Sequence, residues 1–368
     1  PVSVLAVPEA TNDYGYLIRT LANDSWSYGG PHDLRLINSQ GRAVTAATPA
    51  NLVSTVAAAG HDYGLVVSNA DHQLDAVASL SGSSGDLELG QRIDLERSYY
   101  QMDAEVLSDG TGYVVVYQSF DLSYSQVRAV RFTPGGTILW NVELYKEARN
   151  WANGLWARSV AMSRNRLVIA YRLDAGETFV KMFDPATGRT IATTPLPSQS
   201  VTISPLTAFK PIFRVGSDGR NLVMVWQTKE RELRATRLDD AGNAIDGEGI
   251  VVARLSSLTT SLRVTGFTVN TVLVSWRDYD DWLTRASRVD LANGAAGPAF
   301  LLNSRDNWYF GLIPRAGGGG AVVISYRKTL VDGTLIEVPT MQDLIAAPTT
   351  PRRRSAGGEA PLQHDIAP

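Results

Sequence analysis

The sequence predicts an all-β protein made of seven repeats of about 50 residues, each repeat folding as one four-stranded antiparallel sheet. Three observations lead to this prediction. Short apolar runs recur at a nearly constant spacing, a glycine-containing turn follows each of the first six runs, and a segment of alternating polar and apolar residues precedes each turn. Strands separated by such turns are typical of antiparallel sheets.

The apolar runs set the period of the repeat. Five of the seven end in an aromatic residue, and the spacings between successive run ends are 49, 49, 54, 55, 50 and 50 residues. The runs are rich in β-branched residues and are too short for buried helices, which need about ten residues or more. We therefore expect a buried strand at each run, at residues 16–18, 65–67, 114–116, 167–170, 222–225, 272–275 and 322–325.

The turns supply the second strand signal. Glycine gives a hairpin the positive φ that other residues adopt only with strain. The alternating segments, such as residues 127–132 and 233–238, indicate half-buried antiparallel strands. Each repeat thus reads as strand, turn, buried strand, loop, alternating strand, glycine turn and strand. The turn glycines are Gly41, Gly85, Gly136, Gly188, Gly242 and Gly294.

Seven such sheets can bury their apolar faces only against one another, and radial packing around a channel achieves this. Over about residues 1–345 the chain therefore resembles a seven-bladed β-propeller. The predicted blades span about residues 1–48, 49–96, 97–146, 147–197, 198–255, 256–303 and 304–347. A strand near residues 4–9 opens the first blade. The last blade has no glycine turn after residues 334–338, so its outer strand is either missing or made by residues 343–347.

The repeats are similar to the degenerate kind found in secreted bacterial propellers, in which an aromatic ends the buried strand and an Arg-Phe-Asp-x-x-Gly pattern forms the turn. That resemblance implies an extracytoplasmic protein, secreted or at the cell surface. Residues 348–368 have the proline, arginine and glycine content of a linker or tail.

Composition excludes several classes of function. The chain has no cysteine, which rules out disulfides, thiol catalysis and cysteine-ligated metals. Its histidines, His32, His61, His72 and His364, form no close ligand pair, so we expect no metal and no cofactor. A formal net charge of −3 argues against a nucleic-acid partner, and the absence of an 18-residue apolar run argues against membrane insertion.

Acidic residues at 278–281 follow the sixth buried run. They could chelate a hard cation or supply an acid and a base, but the calcium-loop spacing is missing, and the favoured interpretation is a solvated acidic loop. No serine lies in a nucleophile motif. We assign no catalytic residue.

Aromatic residues in the predicted loops of one face form the strongest functional signal. They either fill the gaps between blades or form a recognition surface, with arginines able to bond sugars or carboxylates. The predicted ligand-binding residues are Trp26, Tyr99, Tyr100, Trp151, Tyr279, Trp282, Trp308, Tyr309 and Arg305.

These features favour a non-enzymatic, extracytoplasmic binding or scaffold protein whose aromatic face binds a glycan or a protein partner. Two alternatives stay open. The chain could be a carbohydrate-active hydrolase or lyase using acids such as Asp103, Asp278 or Asp280 in a central funnel. It could also be a subunit of a larger surface assembly, docked through its C-terminal tail. The sequence leaves the ligand and the oligomeric state undetermined.

Overall fold

The structure is a computed structural model, and the residues it describes are all in strands and the turns between them. The described residues are 2–6, 14–21, 32–38, 48–50, 52–59, 62–68, 73–82, 87–97, 103–120, 124–148, 157–172, 178–195, 213–228, 230–256, 259–278, 280–281, 283–302, 307–314, 320–331 and 334–345. Among them there is no helix, and hence none long and apolar enough to cross a membrane. The predicted tail at 348–368 lies outside these residues.

Every described strand pairs antiparallel with a neighbour in its own sheet. In chain order they are β1 (Val2–Ala6), β2 (Tyr14–Leu21), β3 (His32–Asn38), β4 (Thr48–Ala50), β5 (Leu52–Ala59), β6 (Asp62–Ser68), β7 (Gln73–Gly82), β8 (Leu87–Leu89), β9 (Arg92–Arg97), β10 (Asp103–Ser108), β11 (Tyr113–Phe120), β12 (Tyr124–Phe132), β13 (Ile138–Ala148), β14 (Ala157–Met162), β15 (Leu167–Arg172), β16 (Thr178–Phe183), β17 (Thr190–Pro195), β18 (Phe213–Ser217), β19 (Leu222–Gln227), β20 (Glu232–Leu238), β21 (Ile250–Arg254), β22 (Thr259–Thr268), β23 (Thr271–Asp278), β24 (Thr284–Asp290), β25 (Ala295–Ala296), β26 (Phe300–Leu301), β27 (Asn307–Pro314), β28 (Gly320–Val331) and β29 (Thr334–Ile345).

The strands form seven sheets, numbered one to seven along the chain. Four of them have the predicted path of four consecutive strands: β1–β4, β10–β13, β14–β17 and β18–β21. The first strand pairs with β2, so the N-terminal strand opens the first sheet, as the sequence predicted.

The other three sheets depart from the predicted four strands. In sheets two and six the outer strand is divided, so β8 and β9 both pair with β7, and β25 and β26 both pair with β24. The break in sheet six contains Gly297 and Pro298, and proline cannot donate to a ladder. Among the described residues, sheet seven has three strands, and residues 343–345 continue its third strand instead of forming a fourth.

The first strands of successive sheets lie side by side in cyclic order. Strand β1 contacts β5, β5 contacts β10, and the sequence continues through β14, β18, β22 and β27, which contacts β1. Among the residues whose burial is described, the apolar core forms layers between neighbouring sheets from sheet two to sheet six, and sheets three, four and five are apolar on both faces. This arrangement is a β-propeller, as the repeat pattern predicted.

Each layer buries the aromatic residue that ends the apolar run. Tyr117, Tyr171, Trp226 and Trp276 are all buried. Trp226 faces sheet four, and Trp276 faces sheet five together with Val274. Because side chains alternate along a strand, the residue after each aromatic faces the opposite layer. Gln227 and Val225 therefore face sheet six.

The lower end of the propeller carries the hairpin turns. Gly136, Gly188, Gly242 and Gly294 all have positive φ, which confirms their predicted role. In three of these four turns an aspartate caps the loop, as when Asp239 accepts bonds from the backbone of Ala241 and Asn243.

Arginine side chains join neighbouring sheets at this lower end. Arg131 of sheet three donates to the Pro185 carbonyl of sheet four at 2.6 Å, and Arg237 of sheet five donates to the Leu291 and Ala292 carbonyls of sheet six. Each also pairs with a carboxylate of its own sheet: Arg131 with Asp109 at 2.8 Å, and Arg237 with Asp246 at 2.6 Å. Arg131 and Arg237 thus join neighbouring sheets, although only Arg237 is followed two residues later by the aspartate of the predicted turn pattern.

Candidate functional site

The site lies at the upper end of the propeller, where the second strand of each sheet ends. It is formed where β23 ends and β24 begins, on the face of sheet six that packs against sheet five. Trp276 and Arg285 are paired across these strands, so both side chains lie on that face, and Asp278 follows two residues beyond Trp276. Four polar side chains therefore project into one layer: Gln227 from sheet five, and Trp276, Asp278 and Arg285 from sheet six.

Arg285 is bound by two carboxylates. Its Nη1 donates to Oδ2 of Asp278 and its Nη2 donates to Oδ2 of Asp281 at 2.6 Å. Asp278 is only 3 % exposed, whereas Asp281 and Arg285 are each about one-quarter exposed at their side chains. The prediction of a solvated acidic loop is therefore wrong for Asp278, because β23 extends through it and carries it between two sheets.

The carboxyl group of Asp278 has an unusual electrostatic environment. Burial raises its pKa, the neighbouring carboxylates of Asp281 and Asp280 act in the same direction, and the guanidinium of Arg285 opposes them. The result is a pKa above the ordinary aspartate value. Arg285 in turn has a raised pKa, first because it bonds to Asp281.

Gln227 is the second buried polar residue of the site. Its Oε1 accepts a bond from the backbone N–H of Thr259 at 3.3 Å, and Thr259 is the cross-strand partner of Asp278. Only oxygen can accept that bond, so the amide orientation is fixed and Nε2 is its free end. Gln227 is fully buried, and its Nε2 has no hydrogen-bond partner.

Two further polar atoms of this layer are also buried without a partner. They are Nε1 of Trp276 and Oδ1 of Asp278. Buried polar atoms without partners are rare in folded proteins, and each costs about 1–3 kcal/mol. Gln227, Trp276 and Asp278 therefore place three such atoms in the layer between sheets five and six.

The arrangement limits the chemistry of the site. Asp278 and Asp281 hold the same guanidinium, so they cannot serve as a free acid and a free base. Among the residues whose placement is described, no three potential metal ligands come together. Two N–H donors beside the carboxylate also make a poor cation site, since a cation needs lone pairs on every side.

Most of the predicted aromatic face cannot be compared with the structure. Trp26, Tyr99, Tyr100, Trp151, Tyr279, Trp282 and Arg305 lie outside the described residues. Trp308 and Tyr309 were expected in a loop, but they belong to β27, the first strand of sheet seven. The loop prediction is wrong there because residues 307–314 are largely aromatic and aliphatic, which favours a strand. Their ligand-binding role stays a prediction.

Sequence reasoning missed Gln227, Trp276 and Arg285 as site residues. Trp276 ends the sixth apolar run, so its burial agrees with the repeat pattern, but that pattern gives no sign of an indole N–H without a partner. The sequence gives only weak evidence for Gln227: it is a polar residue that directly follows the aromatic at the end of a buried run. Arg285 carries none, because its pairing with Asp278 depends on the register between β23 and β24.

Comparison with known proteins gives likenesses in structure only. No protein-family profile matches the sequence, and no curated protein matches it significantly. The β-propeller domain of the Trilobed protease from Pyrococcus furiosus, described as having an open velcro topology, is 10% identical with a TM-score of 0.54, over 95% of this chain and 99% of that one. The WD40 domain of SCAP from fission yeast is 9% identical with a TM-score of 0.50, over 95% and 89%.

A prolyl endopeptidase is also similar, at 16% identity and a TM-score of 0.50 over 89% of this chain. The chain spans about half of that protein, 46% of its length. At such identities these likenesses show the fold alone. Together with the layered sheets they establish an all-β propeller, a fold that carries many unrelated functions.

Proposed function

We propose that the chain is a non-enzymatic, extracytoplasmic binding or scaffold protein whose seven sheets form one closed, seven-bladed ring. Its upper face binds a glycan or a protein partner. The cyclic contacts from β1 through β27 support the ring. The predicted aromatic residues of the upper face support the partner class, because aromatic side chains dominate recognition surfaces.

One observation carries the choice of binding over hydrolysis. The acidic cluster best placed for catalysis is a structural clamp, in which Asp278 and Asp281 both bind Arg285. A glycoside hydrolase needs two carboxyl groups that are free to act on opposite sides of a glycosidic bond. The clamp leaves neither in that state.

The experiment joins a glycan array to an activity assay on the same panel. We expect retention of a subset of glycans without release of reducing ends. The test variant is Trp151→Ala, which is expected to lose retention while keeping the melting temperature of the parent. Cleavage of any retained glycan would replace the binding proposal with the alternative of a carbohydrate-active enzyme. If the panel retains nothing, and if removing residues 348–368 lowers the solution mass from that of an oligomer to that of a single chain, the assembly subunit is favoured.

A second candidate function is suggested by one feature of the ring. Among the described strands none is exchanged between the first and last sheets, since β1 pairs within sheet one and β27–β29 pair among themselves. The propeller domain of the Trilobed protease is described as having an open velcro topology. The chain could therefore be the propeller unit of a peptidase. Peptide hydrolysis by a co-purifying or fused partner, lost when the propeller is removed, would support this candidate.

A further inference from the structure

Sheet seven ends in an unpaired edge. In each of the other six sheets an outer strand pairs with the third strand, whereas among the described strands none pairs with the outer edge of β29. Strand β29 is 12 residues long, which is longer than the third strand of any other sheet. Its edge presents a row of backbone N–H and C=O groups, and such a row is a template for one more strand.

A proline divides this edge into two parts. Pro339 lies opposite Tyr326 in the ladder and has no N–H to donate, so it interrupts pairing on the outer side. The lower part, residues 340–345, contains no proline, and every residue there keeps both backbone groups. An added strand would therefore pair with residues 340–345, at the end of the sheet where the hairpin turns lie.

The chain that follows β29 can reach this edge through a turn that the protein already uses. In sheet four, residues 184–189 join the third strand to the fourth, and the last residue of β16 pairs with the first residue of β17. A turn of the same length after Ile345 would use residues 346–351, which include two prolines, and prolines are common in turns. The same register would place Arg352 opposite Ile345.

The charges of the two segments are complementary. Strand β29 contains Glu337 and Asp343 and no lysine or arginine, whereas the segment after the turn begins with three arginines, 352–354. The register above would place Arg354 opposite Asp343. On the inner side, the β28 residue opposite Asp343 is Val322, which carries no charge. Opposite charges across a strand pair stabilise it, so this position favours the arginine segment.

The two segments also end at the same level. After the arginines the chain continues with Ser355, Ala356, Gly357 and Gly358, and the register would place Gly358 opposite Pro339. Glycine and proline both weaken a ladder, so the pairing would stop where the proline already interrupts the edge. The arginines would then lie on the outermost strand, where charged residues prevent pairing with further chains.

We infer that the lower edge of β29, residues 340–345, is a docking site for residues 352–357 of the same chain, which add as the fourth strand of sheet seven. Main-chain hydrogen bonds supply the affinity of such a strand addition, and the pair of Asp343 with Arg354 sets its register. A short turn gives the segment an effective concentration of about millimolar at the edge, which favours it over the tail of a second copy. This inference does not depend on the ligand of the upper face. It makes the C-terminal segment a closing strand instead of an arm that binds a neighbouring subunit.

The absence of native cysteine allows a disulfide test on the full chain. Met341 and Ala356 lie opposite each other in the proposed register, so Met341→Cys with Ala356→Cys should form an intramolecular disulfide. The matched control is Met341→Cys with Gln363→Cys, whose second thiol lies further along the tail. We expect the first pair to oxidise about tenfold faster than the control, because pairing holds its thiols together. Thiol titration and non-reducing electrophoresis measure both rates. Equal rates would overturn the inference, and disulfide-linked dimers would overturn it in favour of a second copy as the occupant.

A second measurement needs no cysteine and tests the charge pair. Amide hydrogen exchange of peptides that cover β29 is compared in the parent, in Arg354→Asp, and in the double variant Asp343→Arg with Arg354→Asp. We expect Arg354→Asp to speed exchange of residues 340–345 about fivefold, and the charge swap to restore the rate of the parent. Strand β19 serves as the internal reference, since a general loss of structure would speed its exchange as well. Equal exchange of residues 340–345 in all three proteins would overturn the inference.

Discussion

The seam between sheets three and four can be tested through Arg131. Its guanidinium donates to Pro185 of the next sheet at 2.6 Å, to Asp109 at 2.8 Å and to Thr111 at 3.2 Å, and both charged side chains are 9 % exposed. Replacing Arg131 by Met keeps the stem and removes the charge. Asp109 is then left as a buried carboxylate with only its Thr111 bonds.

Breaking a buried ion pair by removing one partner costs about 3–5 kcal/mol. We expect Arg131→Met to lower the free energy of unfolding by about 3 kcal/mol, since Thr111 still bonds the carboxylate and Trp140 still bonds the Pro185 carbonyl. Urea unfolding followed by circular dichroism measures this loss. The control is Arg128→Met on the same strand, whose guanidinium makes an exposed bond to Asn141 and whose loss should cost under 1 kcal/mol.

The double variant Arg131→Met with Asp109→Asn isolates the pair. Asparagine keeps the acceptor for Thr111 and removes the unpaired charge, so the double variant should be more stable than the sum of the two single losses predicts. Additive losses, or a cost for Arg131→Met no larger than that for Arg128→Met, would refute the reasoning that a buried ion pair joins these sheets.

Three further outcomes follow from the same structure. Burial alone would raise the pKa of Asp109, but its bonds to Thr111 and Arg131 hold that pKa below the ordinary value. The stability that the pair contributes is therefore complete above the unfolded-state pKa of about 3.9, and it is lost as pH falls through the folded-state pKa. Urea unfolding at pH values from 6 to 2.5 should show the difference in unfolding free energy between parent and Arg131→Met becoming smaller. For Arg285→Met we expect the free energy of unfolding to fall as pH rises from 4 to 7, because burial raises the pKa of Asp278 and the variant has no guanidinium to oppose that rise. A free energy of unfolding that stays constant over this pH range would contradict this expectation. Gly188→Ala should cost about 1–3 kcal/mol more than Gly110→Ala by thermal melt, since both have positive φ but only at Gly188 would a Cβ lie 3.0–3.1 Å from Trp140 and Val142.

The strand pattern was predictable from the sequence because it depends on local properties. The run at 222–225 became the fully buried strand β19, and the segment at 233–238 alternates between buried and half-buried residues as expected. The divided outer strand of sheet six was not predicted, although Pro298 is a local signal against a continuous ladder. At Trp308 the local signal was correct and the repeat was misleading. The segment has strand-forming residues, but its place in the repeat predicted a loop.

The candidate site could not be predicted in the same way, because its chemistry comes from contacts between sheets. An aspartate after a strand usually reaches water, and only the packing of sheet five against sheet six buries Asp278. The free ends of Gln227 and Asp278 depend on which of their two polar atoms Thr259 and Arg285 hold. Those pairings require the register of β22, β23 and β24, which residue types alone do not determine.

The lower seams show that the turn glycine has two roles. Its positive φ was expected, but at each described seam it also lies against the preceding sheet: Gly136 against Gln91, Gly188 against Trp140, Gly242 against Met182 and Gly294 against Arg237. A Cβ at any of these positions would collide with that neighbour or force it to shift, so glycine is required by packing as well as by backbone conformation.

Sheet four confirms that the contact matters more than the residue that makes it. Its residue at the seam position is Met182, which is buried in the apolar layer and carries no donor. Arg166, the residue before β15, instead donates through Nε to the Asp240 carbonyl at 2.9 Å, in the turn that also contains Gly242. Met182 packs against that glycine, and Arg166 donates the hydrogen bond to the turn. In sheet five, Arg237 alone makes both kinds of contact with the next sheet. The Arg-x-Asp pattern is therefore incomplete in sheet four, yet the seam is still closed by an arginine bonded to a turn carbonyl.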